Sequence, residues 1–128
     1  MMLLKPISTF IRTYHHNSYL SMSIGKEKVK LEKLLASVAS VQNIDELNLE
    51  IVNEGYREYA AIIKTLYTKQ PNIFGNLYNY DLREIKENKK FTKESYSEKA
   101  RQTNFTAYRD SVVEAIERTM EYISSYVQ

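Results

Sequence analysis

Apolar positions return every third and fourth residue through most of this chain, which is the spacing of one face of an α-helix. Beyond the amino terminus the first such row is Leu31, Leu34, Leu35, Val38 and Val41. Lys26, Lys28, Lys30, Glu32 and Lys33 fill the outside, so a helix is predicted from Gly25 to Gln42. Asn43 then reads as the cap of a second helix: Glu46, three residues on, completes a capping box, and Asp45 adds favourable charge near the amino end. That helix is expected to run to about Lys69, with Ile44, Leu47, Ile51, Tyr59, Ile62, Ile63 and Leu66 inward and Pro71 stopping it from beyond its end. Gly55 in its middle costs about 1 kcal/mol relative to Ala and marks either a close helix crossing or a bend.

The period is lost over residues 70–80, which hold Pro71, Gly75, three Asn and three aromatic residues and are expected to form a loop. A short helix over Asp81 to about Lys89 follows. Thr92 is the expected cap of the last helix, with Phe91 and Tyr96 at the two positions of a hydrophobic staple. From there Phe105, Tyr108, Val112, Ile116, Met120, Ile123 and Val127 keep a near-heptad stripe, and the helix either runs uninterrupted from Thr92 or breaks around Gln102–Asn104. Leu34, Leu35, Val38, Ile51, Ile62, Ile63, Leu66, Val112, Ile116 and Ile123 should form the core. The reading is all-α, a single-domain helical bundle of three to five helices over residues 24–128 with up-and-down topology.

Composition supports this and narrows the chemistry. In 128 residues there are three Gly and two Pro, too few for the many tight turns of an all-β fold. The absence of Cys excludes a disulfide framework and thiolate chemistry. Eleven Tyr and no Trp favour half-buried helix faces and interfaces, since Tyr joins a large apolar ring to a polar tip.

Charge changes the picture only at the amino terminus. The first carboxylate is Glu27, and the segment before it carries Lys5, Arg12, His15, His16 and many hydroxyls. Leu3, Leu4, Ile7, Phe10 and Ile11 share one side of a helical wheel, as in basic amphipathic segments that meet anionic membranes and import receptors. Arg12-Thr13-Tyr14 resembles the Arg-x-aromatic site of mitochondrial presequence cleavage. Residues 1–22 therefore read as a targeting presequence, with an ordinary amino-terminal helix or arm as the alternative. The matching address is the mitochondrial matrix, against a cytoplasmic one. No stretch approaches the roughly 18 apolar residues of a membrane span.

Candidate chemistry is sparse. Adjacent His15 and His16 point apart on a helix and have no third ligand to join. Glu46, Glu50, Glu54 and Glu58 form a four-residue ladder with no apolar neighbours to desolvate it, which reads as a solvated edge. No nucleophile–base pair, phosphate-cradling glycine loop or zinc spacing is present, so neither an enzyme, a cofactor nor a metal is expected. Phe74, Tyr78 and Tyr80 are the candidate contact for a protein partner or a second copy of the chain, as aromatic anchors on a loop, the alternative being that they tuck under the bundle and close its end. Lys86, Lys89, Lys90 and Lys93, beside Arg83, are the candidate contact for an acidic partner or for nucleic acid, the latter disfavoured because Glu84, Glu87, Glu94 and Glu98 interrupt the run. The expected role is a non-catalytic interaction protein, a subunit or assembly factor of a mitochondrial complex. The alternative is a cytosolic bacterial or phage protein of the immunity or anti-defence type.

Overall fold

The computed structural model describes residues 24–93 and 97–126. Helix dominates, and no strand occurs among the described residues. Helix α1 spans residues 24–39. It is followed by α2 (Glu46–Lys69), α3 (Pro71–Asn76), a π turn (Leu77–Asp81), α4 (Leu82–Thr92) and α5 (Glu98–Tyr126). The 29 residues of α5 run unbroken past Gln102–Asn104, a rod about 44 Å long on which the others lie.

Side-chain pairs set the directions. Asn53 and Tyr59 of α2 meet Tyr108 and Thr119 of α5, so these helices run the same way. Helix α4 runs against α5, because Asp81 meets Arg118 while Phe91, near the other end, meets Asn104. Helix α1 also opposes α5: Val41 just beyond it accepts from Arg109, and Lys28 lies near Ser124 and Ser125. The result is the up-and-down bundle.

Of the expected core, Leu34, Val38, Ile62, Ile63, Leu66, Val112, Ile116 and Ile123 are buried, and Leu35 and Ile51 are half-buried. Leu47 is 71% exposed, not inward. The buried row of α2 steps from Tyr59 through Gly55 to Val52, so Leu47 falls on the other side. At Gly55 the helix packs tightly against α1. A Cβ there would sit 2.5 Å from Val38 Cγ2.

Three helix ends differ from expectation. Asp45, not Asn43, caps α2: its carboxylate accepts from the Asn48 amide at 2.7 Å, and the Asn48 side chain donates to the Asn43 carbonyl. Thr92 closes α4, donating its hydroxyl to Lys89. Ser97 begins α5 by accepting from the Ala100 amide. Tyr96, the second position of the expected Phe91–Tyr96 staple, lies outside the described residues.

Residues 71–80 are helical, which corrects the expected loop. Pro71 sits at the first turn of α3, where its missing N–H costs nothing. The π turn then takes up one extra residue. Eight positions from Leu77 to Ile85 consequently act as about two α-turns, and both side chains are buried on one line.

Candidate functional site

Helices α2 and α4 both rest on α5, and an open groove of about 540 Å³ lies between them. Arg83, Lys86, Lys89 and Lys90 of α4 and Lys93 just beyond its end line one wall with Glu87, and Tyr56 of α2 forms the other. The periodicity of α4 produces this arrangement. Arg83, Lys86, Lys90 and Lys93 follow at steps of three, four and three, so they form one row about 15 Å long. Lys89 leans across the groove, its Nζ 5.6 Å from the centre of the Tyr56 ring. Cation–π attraction of this kind holds the ammonium over the ring face.

The Tyr56 ring is itself fixed. It packs edge-on against Tyr108 at 6.5 Å, and Tyr108 is buried with its hydroxyl donating to Asn53 at 2.6 Å. Burial pushes the Tyr56 hydroxyl above the ordinary tyrosine value, so it stays a neutral donor beside the cations. The groove is thus a row of charges facing a seated aromatic wall. Such a surface attracts a chain of carboxylates or phosphates and offers a ring to pack against.

The expected aromatic contact does not form one surface. Phe74 is fully buried, closing the core beneath α3. Tyr78 is half-buried and stacks on Tyr67 with ring centres 4.5 Å apart and planes 9° from parallel. Tyr80 alone of the three is open, 60% exposed, with the Arg83 guanidinium 5.3 Å over its ring. The loop assumption caused this error, because in a helix the apolar row of α3 has to face inward. By contrast Lys86, Lys89, Lys90 and Lys93 do come together. Tyr56 and Arg83 complete the site. Tyr56 lies nearly thirty positions earlier in the chain and carries no local signal of its partnership with α4.

The glutamate ladder is an exposed edge. Glu50 and Glu54 both accept from Arg57, at 2.9 and 2.7 Å, and raise its guanidinium further above its ordinary range. Among the described residues no group of three or more His, Cys, Asp and Glu side chains could hold a metal ion. His15 and His16 lie outside the described residues. No described helix is long and apolar enough to cross a membrane. Comparison with protein families, curated proteins and solved structures gave no match.

Proposed function

We propose that the protein is a non-catalytic helical interaction module, a subunit or assembly factor of a mitochondrial complex, that holds the acidic face of a protein partner in the α2–α4 groove. The observation that carries this reading is the groove lining of five cations and one carboxylate opposite Tyr56, on a chain whose other charged residues are slightly acidic in sum. One lysine or arginine on nearly every turn of α4 repeats at about 5.4 Å, the pitch at which a facing helix presents its carboxylates. The acid-free amino terminus supports the mitochondrial address.

Affinity capture from the native cell tests the reading, comparing the wild type with Lys86→Glu/Lys90→Glu/Lys93→Glu. A protein held by the wild type, lost by the variant and retained after nuclease treatment is the expected result. Capture that nuclease abolishes, falling steeply with salt, would instead favour nucleic acid along the same row. That outcome suits the second reading, a cytosolic bacterial or phage binding protein, for which the Arg83–Tyr80 pair supplies a charge for phosphate and a ring for a base. Amino-terminal sequencing separates the two addresses: a start near His15 supports import, and an intact Met1 or Met2 supports the cytosol.

A further inference from the structure

Helix α1 contributes a second cationic surface, on the side of the protein that leads from the amino terminus. Lys26, Lys30 and Lys33 follow at steps of four and three and are all exposed. Val29, 50% exposed, lies between them, and Ala36, Ser37 and Ser40 continue the same outward face. No carboxylate sits on it. Glu27 is buried at one margin and bridges Lys30 at 3.6 Å. Glu32, also exposed, borders the other margin one turn from Val29 and lines a cleft with Glu117 and Glu121 of α5. In sequence α1 is preceded by residues 1–23, which contain Lys5, Arg12 and no acid.

We infer that the outward face of α1 rests on an anionic membrane surface, so that the protein works as a peripheral membrane protein. The match is one of charge and geometry. The Lys26 and Lys33 ammonium groups, on flexible stems, reach a layer of lipid phosphates on either side of the Glu27-bridged Lys30, the exposed Val29 side chain enters the headgroup boundary, and small residues allow the helix to lie close. The α4 row points into its own groove and is independent of this contact. It serves as the control for general basicity.

Cosedimentation of the full chain with phosphatidylcholine vesicles containing a third phosphatidylserine tests the inference. Binding should be present with these vesicles at low salt and absent with pure phosphatidylcholine. Lys26→Glu/Lys33→Glu should weaken it by about 25-fold or more, since each lysine near such a surface contributes about a fivefold attraction. This pair leaves the Lys30–Glu27 bridge intact, and Lys26→Gln/Lys33→Gln should give a smaller loss in the same direction. Lys86→Glu/Lys90→Glu should change nothing. Equal binding to neutral vesicles, or no binding to either, overturns the inference. So does a loss caused by the α4 pair, which means unspecific basicity. Loss on Lys5→Glu/Arg12→Glu with the α1 variants unaffected overturns it too, assigning the attraction to the amino terminus alone.

Discussion

Gly55 shows how a residue that weakens a helix locally can be the one that allows the helices to meet. Replacement by Ala gains about 1 kcal/mol of helix propensity. It also places a methyl group 2.5 Å from Val38 Cγ2, and Val38 is buried with no room to retreat. Overpacking a core costs about 1–3 kcal/mol, so Gly55→Ala should destabilise the fold by roughly 1 kcal/mol in urea titration. Trimming the opposing side chain should relieve it: the Gly55→Ala/Val38→Ala pair should lose less than the sum of the single changes. A Gly55→Ala protein more stable than the parent would mean that α1 does not dock there. The buried phenols make a separate prediction. The Tyr59 hydroxyl bonds Thr119 Oγ1 at 2.9 Å while Thr119 donates to Ala115, so Tyr59 has to be the donor and must keep its proton. Burial raises both Tyr59 and Tyr108 above the ordinary value of 10.0. The unfolded chain releases these protons first as pH climbs. Their stabilisation is therefore full below about pH 10 and is lost as pH rises towards the folded values. Chemical denaturation across the alkaline range should show that fall, and Thr119→Val should lower stability by about 1–3 kcal/mol at neutral pH by removing the acceptor.

Helices whose stripe stays in step are legible in the chain, and the segment that changes step is not. The cores of α1 and α5 could be read directly because Leu31, Leu34 and Val38, and Phe105 to Ile123, never leave the helical period. In residues 71–92 the π turn inserts one position, so Phe74 before it and Leu77 at its start look out of phase with Ile85 beyond it when counted at a constant 3.6 residues. Pro71, Gly75 and three Asn completed the resemblance to a loop. The same shift explains the site: the lysines of α4 lie wholly beyond the insertion and keep their own spacing, whereas Phe74 and Tyr78 do not. Tyr56 was hidden for another reason, since only packing on α5 brings α2 beside α4. Because a π turn is an α-helix with one residue added, removing that residue should restore a plain helix and leave α4 facing as it does now. Deleting the exposed Asn79 should therefore preserve helical circular dichroism, cooperative melting and partner capture. Deleting Glu87 instead, two turns further on, should rotate the end of α4, break up the row of cations and abolish capture. Equal damage from both deletions would show that the π turn is needed for more than register.

At the scale of the molecule, charge is nearly balanced overall but unevenly placed, with cations in the α2–α4 groove, along α1 and before Glu27. A body of this kind has little long-range field to steer encounters, so specificity rests on contact distances within about one Debye length, near 8 Å at physiological salt. The core closes among the described residues: Ile24, Leu31, Leu34, Val38 and Val41 cover the faces of α2 and α5, and the turn after α1 is pinned by Gln102 to Ile44 and Gln42 and by Arg109 to Val41. A targeting segment adds nothing to such a core. Deleting residues 1–14 should therefore leave the melting temperature nearly unchanged, while import into isolated mitochondria is lost. Because the deletion removes two of the cations outside the two rows, vesicle binding should weaken less than it does on reversing Lys26 and Lys33. A fall in melting temperature of more than roughly 5 °C would correspond to about 1 kcal/mol at this chain size. The segment would then belong to the fold, and the mitochondrial address would lose its main support while the groove and its partner would be untouched.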